Sequence, residues 1–203
     1  MSVAAFRLAN WDTPLWAGPN RRPSRYSSGT ERIVQYWSFH PLACWAEYLR
    51  AQGIRDPAEV AELRVRPWVA SLELPEATVE VTFESASRYG IEPEALIDDD
   101  WSACQAFAAK LAPAALIVPS AALPGTSNLV IFGARVRSRY AVQPFDRDVD
   151  VPCDPVVDVG TPVVDLLSHI RWRGIRHSGY EAWKRGRAQP LAPNVALLAV
   201  RES

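Results

Sequence analysis

A single carboxylate, Glu47, interrupts an otherwise apolar helical stretch with the sequence LACWAEYL. The apolar residues that recur there at helical spacing are Leu42, Trp45, Ala46 and Leu49. Glu47 falls at the edge of this apolar stripe, where a carboxylate can face a cleft and act on a ligand. The spacing is also compatible with a surface ion pair between Glu47 and Arg50, which would contribute only ~0.2–0.5 kcal/mol.

Two arginines near the start of the chain stand beside aromatic residues. Arg7 follows Phe6, and Arg25 precedes Tyr26. Because a guanidinium fork binds phosphate oxygens in pairs and aromatic rings stack on bases, this composition suits a dinucleotide. A cation–π or salt-bridge role in packing an N-terminal arm explains the same residues equally well.

Ser120 follows a short apolar run, at the point where a buried strand would end. Hydroxyl groups at strand ends are common in ligand sites, although serine is also a routine turn residue. The sequence VPSAALPGTSN lacks the flanking glycines of a G-x-S-x-G nucleophile elbow, and the histidines at 40, 169 and 177 show no metal-binding spacing. The G-x-G-x-x-G and P-loop fingerprints are also missing from the sequence. A serine hydrolase, a metal site, a Rossmann cofactor site and a P-loop are therefore poorly supported.

Composition limits the class of protein that carries these residues. The chain has 203 residues, 48% hydrophobic and 22% charged, with a formal net charge of −1. This is typical of a folded globular domain, and the near-neutral charge argues against direct nucleic-acid binding or attachment to an anionic membrane. No apolar run approaches the ~20 residues of a membrane span, and no secretory signal is visible. The three widely spaced cysteines favour a reducing cytoplasm over a disulfide framework.

The candidate residues must be positioned by a mixture of helices and strands. Periodicity and capping signals predict one helix between His40 and Gly53, one over Ser102–Leu111, one starting at Thr161-Pro162 and a last one whose capping box begins at Ser178. The predicted strands are Pro67–Leu74, Thr78–Glu84, Ala114–Val118, Asn128–Phe132, Arg137–Phe145 and Asn194–Val200. The first 35 residues are rich in proline and glycine and are predicted as loops. Because no regular βαβ alternation appears, the pattern favours an α+β fold.

A basic segment near the C-terminus combines arginine with tryptophan. Its basic residues are Arg171, Arg173, Arg176, Lys184, Arg185 and Arg187, and its tryptophans are Trp172 and Trp183. Since both residue types are enriched in interfaces, the segment is predicted either to complete the wall of a ligand cleft or to form a protein contact. The alternative is a solvated helix face.

Three stretches of the sequence, together spanning about residues 5–140, resemble the RES domain family, which takes its name from an Arg, a Glu and a Ser. They are AFRLAN, SRYSSGTERIVQYWSFHPLACWAE and DDDWSACQAFAAKLAPAALIVPSAALPGTSNLVIF. The positions that match in order are Arg7, Arg25, Tyr36, Glu47, Gln105, Pro119, Ser120, Gly125, Asn128 and Phe132. There are two departures: Ser24 stands where the family commonly has glycine, and Tyr26-Ser27 stands where Trp/Phe-Asn is usual.

The resemblance implies an ADP-ribosyltransferase-like α+β fold, with a mixed sheet and flanking helices. It implies an NAD glycohydrolase or phosphorylase that cleaves the nicotinamide–ribose bond as a bacterial toxin, with NAD as its substrate and no cofactor or metal. The residues implied as catalytic are Glu47, Tyr36, Arg25 and Ser120, and those implied as substrate-binding are Arg7, Arg25, Tyr36 and Ser120. The carboxylate would stabilise an oxocarbenium-like ribose, the arginines would bind the pyrophosphate, the tyrosine would stack on nicotinamide and the serine would hydrogen-bond near the ribose.

The implied partner is a small helix-turn-helix antitoxin that blocks the site, and inorganic phosphate is implied as a partner if the reaction is a phosphorolysis. The sequence leaves open whether the chain forms a homodimer. Two other functions also stay open: a protein mono-ADP-ribosyltransferase, and a catalytically inactive module that binds a nucleotide or a partner. The expected organisation is a catalytic domain over residues 1–145 and an extension over residues 146–203 that packs on the same domain.

Overall fold

The protein is built on one mixed sheet, seen in a computed structural model that describes residues 2–9, 21–29, 33–63, 65–133, 143–144 and 166–192. Its strands are β1 (Ser2–Ala9), β2 (Val34–Ser38), β3 (Arg66–Glu73), β4 (Thr78–Glu80), β5 (Ala115–Pro119), β6 (Ser127–Phe132) and β7 (Gln143–Pro144). The α-helices with both ends in the described ranges are α1 (Pro41–Gln52), α2 (Pro57–Ala61), α3 (Ser102–Leu111) and α4 (Ser178–Lys184), with 3₁₀ turns over Ala86–Tyr89 and Pro93–Leu96. Residues 166–169 are also helical. This mixture confirms the predicted α+β class.

The strand order is β4-β5-β6-β2-β1-β3-β7, and only the β4–β5 pair is parallel. The prediction that the first 35 residues are loops is wrong for β1, which lies inside the sheet and pairs with β3 over eight residues. Its sequence, SVAAFRLA, is rich in alanine, which has low strand propensity. Hydrogen bonding to strands on both sides therefore decides its conformation.

Alternation along the strands gives the sheet two faces with different roles. Tyr36 and Ser38 point to the face on which Asn128 also lies, because Ser38 is paired with Asn128 and Tyr36 with Val130. We call this the site face. Trp37 and Leu129 point to the opposite face, where they join a separate apolar cluster. Residues adjacent in sequence are thus sent to different surroundings.

Helix α1 begins and ends as the sequence predicts. His40 caps its start through Nδ1, which accepts from Leu42 N–H at 3.2 Å, and Pro41 occupies the first turn. Gly53 closes it in the left-handed conformation with φ 74°. The apolar stripe of α1 packs into a buried cluster that also contains Leu123 and Ile170. The helix is therefore held against both the loop after β5 and the C-terminal part of the chain.

The other predicted elements agree with the structure to different degrees. α3 has the predicted bounds, and β3, β5 and β6 lie within one residue of theirs. β4 is shorter than predicted and ends at Glu80, because Thr82 and Ser85 exchange hydrogen bonds that turn the chain out of the sheet. The predicted helix start at Thr161-Pro162, the strand Asn194–Val200 and most of the strand Arg137–Phe145 lie outside the described residues.

The segment 166–192 is fastened to the loop 120–125 that follows β5. Arg171 N–H donates to the Ala122 carbonyl at 2.8 Å, and His177 Nε2 lies 2.9 Å from the Ser120 carbonyl. His177, rather than the predicted Ser178, caps α4, because its Nδ1 accepts from Tyr180 N–H at 3.0 Å. These contacts place the segment on the same body as the sheet, while the predicted boundary at residue 145 stays a prediction.

The first prediction concerns Gly125, which adopts φ +84° and lies so close to residues 190–192 that a Cβ would come within 2.2 Å of Pro190 O. Gly125→Ala adds both left-handed strain and a backbone clash, so we expect a loss of about 2–5 kcal/mol in the free energy of unfolding by urea. Gly90→Ala, at φ +75° with open space around it, is the matched control and should lose only about 1–2 kcal/mol. Equal losses in the free energy of unfolding for the two variants would show that residues 190–192 make no close contact with Gly125.

The second prediction concerns His177. Burial lowers the pKa of this imidazole from 6.5 to about 4. The charges of Arg171 and Arg50 also lower this pKa, whereas the hydrogen bond to the Ser120 carbonyl and the charge of Glu47 raise it. The unfolded chain therefore takes up this proton at a higher pH than the folded chain. The free energy of unfolding should fall as the pH is lowered through that window, by up to about 3 kcal/mol from this group.

The measurement is the urea midpoint at several pH values for the wild type, His177→Gln and His169→Gln. His169 is exposed, so its variant should keep the wild-type dependence on pH, whereas His177→Gln should flatten it. If the two variants have the same pH profile, the buried imidazole is not the group responsible.

Candidate active site

The centre of the site is the half-buried carboxylate of Glu47 on α1. Its Oε1 accepts from Ser120 Oγ at 2.7 Å, from Asn128 Nδ2 at 2.7 Å and from Ala122 N–H at 3.3 Å. Within the described part of the chain, no hydrogen bond reaches Oε2. One oxygen thus fixes the side chain, and the other keeps its acceptor capacity for a ligand.

Both side-chain donors to Glu47 are oriented by partners of their own. Ser38 Oγ donates to Asn128 Oδ1 at 2.8 Å, which turns the Asn128 amide nitrogen toward Glu47. Ser120 Oγ accepts from Leu123 N–H at 3.0 Å, so its own proton is directed to the carboxylate. Ser120 is fully buried, and its predicted contact with a substrate ribose stays a prediction.

The loop that carries Arg25 is a tight turn with an anchor at each end. Ser24 and Ser27 exchange backbone hydrogen bonds at 2.8 and 3.2 Å. Gln105 on α3 donates from Nε2 to the carbonyls of both serines, at 2.9 and 3.2 Å. The guanidinium of Arg25 donates to the Asp98 carbonyl at 2.6 Å. The turn is therefore held on α3, and its arginine is held against the loop that precedes α3.

Tyr36 supports this turn from the sheet. Its hydroxyl lies 2.8 Å from Ser24 Oγ and accepts from Tyr26 N–H at 3.2 Å. Ser24, one of the departures from the family pattern, is thus a partner of Tyr36 rather than a disruption of the loop. Burial raises the pKa of Tyr36, although these two hydrogen bonds and the charge of Arg25 oppose the rise. Its predicted stacking on a nicotinamide ring stays a prediction.

A network of charged groups lies beside Glu47. Arg50, one turn further along α1 and 7% exposed, forms an ion pair with Asp99. Arg171 reaches the same Asp99 oxygen at 3.1 Å, and Gly174 N–H donates to the other at 2.6 Å. Burial tends to raise the pKa of Asp99, but these donors and charges together hold it below its ordinary value. Arg50 therefore pairs with Asp99, not with Glu47 as the surface ion-pair interpretation required.

Three arginine side chains, Arg25, Arg50 and Arg171, lie in this region among acidic residues. Burial lowers the pKa of Arg50, with Arg171 and Arg25 lowering it further and Glu47 and Asp99 opposing the change. Two guanidinium nitrogens, Arg25 Nη2 and Arg50 Nε, are buried and have no hydrogen-bond partner among the described residues. Guanidinium nitrogens without a partner among the described residues are donors that an anion can accept from.

Arg7 is placed elsewhere. On β1 it alternates with Phe6, which pairs with Ser38, so Arg7 points to the face opposite the site face. Its guanidinium lies 5.7 Å from the ring centre of Trp37 and 3.5 Å from Gln35 Oε1. Burial lowers the pKa of Arg7, which agrees with this packed position. The structure brings Arg25, Tyr36, Glu47 and Ser120 to the site face but does not bring Arg7 to it. Its predicted substrate contact stays a prediction.

The described ranges contain buried thiols but no cluster of metal-binding side chains. No group of three or more His, Cys, Asp or Glu side chains that could hold a metal ion occurs among the residues described. Cys44 and Cys104 are buried free thiols, and burial raises the pKa of each. In the part of the chain that can be searched, no helix has the length and apolar character needed to cross a membrane.

Sequence reasoning missed several residues that hold the site together. Gln105 and Asn128 were within the matched stretches but had no assigned role. Asp99 had no assigned role either, because its partners Arg50 and Arg171 lie 49 and 72 positions away along the chain. His177 carried no signal beyond its residue type, because its two partners are the Ser120 carbonyl and a backbone N–H of α4.

Comparison with known proteins gives two similarities. No protein-family model matches the chain. The chain is 36% identical over 141 residues to a probable NAD(+) phosphorylase of Mycobacterium tuberculosis (strain ATCC 25618 / H37Rv), and the match covers 67% of this chain and 65% of that protein. The chain thus spans just under two thirds of the relative's length.

Among solved structures, the chain is similar to a chain in the crystal structure of the M. tuberculosis MbcT–MbcA toxin–antitoxin complex. The TM-score is 0.54 at 18% sequence identity, over 74% of this chain and 87% of the other. At this identity the match is evidence for a shared fold. Both similarities agree with the resemblance that the sequence motifs indicated.

Proposed function

We propose that this chain is a RES-type enzyme that consumes NAD by breaking the nicotinamide–ribose bond, with inorganic phosphate or water as the acceptor. The observation that carries the proposal is the geometry of the Glu47 carboxylate. Ser120 and Asn128 hold its Oε1, whereas Oε2 accepts no hydrogen bond from the described residues. The charge of Arg50 acts on both Glu47 and Arg25. The similarity to a probable NAD(+) phosphorylase supports the same reaction.

Cleavage of the nicotinamide–ribose bond is favoured by a fixed negative charge near the ribose. When the C–N bond breaks, its electron pair goes to the nicotinamide nitrogen, and the ribose carbon becomes oxocarbenium-like. Phosphate then forms a C–O bond to that carbon and gives a ribosyl phosphate, or water does so and releases a proton. A preorganised carboxylate stabilises the developing cation without having to reorganise. Glu47 meets this requirement because its donors hold it before any substrate arrives.

The guanidinium groups of the site suit the other charged part of NAD. NAD carries a diphosphate, which binds to guanidinium forks through charge-assisted hydrogen bonds. Arg25 is held on its turn by Tyr36 and Gln105, and it retains a buried nitrogen without a partner in the described residues. We assign the diphosphate to Arg25, with the positive charge of Arg50 nearby.

The biological setting follows from the same similarities. The structural neighbour comes from a toxin–antitoxin complex, which supports a role for this chain as the toxin of such a pair. The widely spaced cysteines favour the cytoplasm as its compartment. An antitoxin that covers the site face would block access to Glu47. A small helix-turn-helix protein is the partner we propose, on the family resemblance.

The deciding experiment incubates the purified chain with NAD, with and without inorganic phosphate, and separates the products. Free nicotinamide with a ribosyl phosphate indicates phosphorolysis, and free nicotinamide with ADP-ribose in both buffers indicates hydrolysis. A labelled protein would favour the mono-ADP-ribosyltransferase instead, and unchanged NAD in both buffers would favour the inactive binding module.

The third prediction is that Glu47→Gln lowers the rate of NAD cleavage by ~10²–10³, because the amide keeps the shape but removes the charge that stabilises the cation. Glu76→Gln, a change of the same kind in an exposed turn, should keep the wild-type rate. Nicotinamide release is measured at saturating NAD, with circular dichroism to establish that both variants fold. Near-normal turnover by a folded Glu47→Gln protein would refute the role of this carboxylate.

The fourth prediction is that Arg25→Ala weakens NAD binding by 1.5–3 kcal/mol, or about 10–150-fold in Kd, because a charged fork is removed from the diphosphate. Calorimetry in the Glu47→Gln background measures binding without turnover. Arg22→Ala, an exposed arginine in the same loop, should leave Kd unchanged. Arg7→Ala belongs in the same series, since a similar loss there would extend the substrate site to the opposite face of the sheet. An unchanged Kd for Arg25→Ala would remove it from the site.

A further inference from the structure

One side of the loop 120–125 contacts Glu47 and the other side contacts the C-terminal segment. On the first side, Ser120 Oγ and Ala122 N–H donate to Glu47 Oε1 at 2.7 and 3.3 Å. On the second side, Arg171 N–H binds the Ala122 carbonyl, and His177 Nε2 lies 2.9 Å from the Ser120 carbonyl. A displacement of the segment would therefore move Ser120 and Ala122, which are two of the three donors to Glu47.

His177 is the side chain of the segment that reaches the backbone of this loop. Its Nδ1 lies 3.0 Å from Tyr180 N–H, which can only donate, so Nδ1 must carry a lone pair. Its Nε2 faces a carbonyl oxygen, which can only accept, so Nε2 must carry the proton. The two partners thus select one neutral tautomer, in which a single N–H donates to Ser120.

The imidazole of His177 is buried, packed against an aromatic ring and kept neutral. His177 is 3% exposed, and its ring packs edge-on against Phe83 with 5.9 Å between ring centres. The charged groups that act on it are Arg171 and Arg50, which oppose its protonation, and Glu47, which favours it. Burial is the largest influence and lowers the pKa of His177 to about 4, so the N–H donor persists near neutral pH.

We propose that His177 is a positioning residue for Glu47: its Nε2–H holds the Ser120 carbonyl and thereby aims the Ser120 hydroxyl and the Ala122 N–H at Oε1. This rests on the proposed function, because the positioned carboxylate is the one assigned to stabilise the ribosyl cation. The segment 166–192 contains the basic stretch from Arg171 to Arg187 that the sequence predicted as a cleft wall or a protein contact. In this proposal the segment acts on Glu47 through the loop 120–125. It completes the support of the loop rather than contacting NAD.

Two substitutions distinguish the proposed contact of His177 with the Ser120 carbonyl from its role as the N-cap of α4. His177→Asn places an acceptor near the Nδ1 position and keeps a favoured N-cap, but it is too short to reach the Ser120 carbonyl. His177→Gln carries an amide nitrogen near the Nε2 position and can keep the bond to Ser120, but it gives up the imidazole cap. His169→Asn, at an exposed position, is the control for the residue change itself.

We expect His177→Asn to fold with a urea midpoint close to that of the wild type. Its kcat should fall about 10–100-fold, while its KM changes by no more than about twofold, because the carboxylate is misplaced after substrate has bound. His177→Gln should unfold at a lower urea concentration yet recover most of the lost kcat. The reverse order, in which asparagine is active and glutamine is not, would show that His177 is a helix cap only.

A readout that does not depend on turnover keeps the two proposals apart. Amide hydrogen exchange of Ala122 and Leu123 should accelerate about 10-fold or more in His177→Asn relative to His169→Asn, because both N–H groups donate to Ser120 Oγ, at 3.3 and 3.0 Å. A wild type without NAD cleavage overturns the proposed function, whatever the exchange shows. Unchanged exchange at both amides in His177→Asn overturns the positioning role, whatever the wild-type activity.

Discussion

The half-buried carboxylate of Glu47 loses part of its contact with water when the chain folds, and that loss must be offset by hydrogen bonds. A charged group without such partners costs several kcal/mol, so the fold has to bring donors to it. Those donors come from the end of β5, the start of β6 and the loop between them, as Ser120, Asn128 and Ala122. The pairing of β5 with β6 therefore also brings together the donors to Glu47.

The arginines near this carboxylate follow from a second constraint of the same kind. Arg50 is buried on α1 and pairs with Asp99, and the same carboxylate binds Arg171 from the C-terminal segment. One acidic side chain thus joins three parts of the chain that are far apart in sequence. Buried ion pairs gain little net stability, because both groups lose hydration, so their value lies in fixing geometry. Here they fix the position of positive charge beside Glu47.

The C-terminal segment also accounts for residues that its composition alone could not assign. Trp183 packs with Phe83 and Tyr180, and Trp172 receives the guanidinium of Arg55 at 4.9 Å from its ring centre. Both tryptophans therefore make contacts within the chain. Arg185 and Arg187 are exposed, and Arg185 pairs with Glu181 one turn away at 3.2 Å. Such a pair on a helix surface contributes only a few tenths of a kcal/mol.

The amino-acid sequence by itself determined the elements whose signals are local. The cap and the closing glycine of α1, the bounds of α3 and the buried strands β5 and β6 depend on neighbours a few residues away, and they were predicted closely. The resemblance of three stretches to the RES family also implied Glu47, Arg25, Tyr36 and Ser120 as site residues, and these roles stay predictions.

Only the tertiary structure decided the rest, since those features depend on pairing over long distances. β1 is a strand because β2 and β3 flank it, although its alanine-rich sequence favours no strand. That pairing also turns Arg7 away from the site face. Asp99 pairs with Arg50 and Arg171, which lie 49 and 72 positions away in the sequence. His177 binds the backbone carbonyl of a residue 57 positions away, and no pattern of side chains reveals such a contact. Spacing along the chain encodes local geometry, and it carries no information about which backbone group a distant side chain will meet.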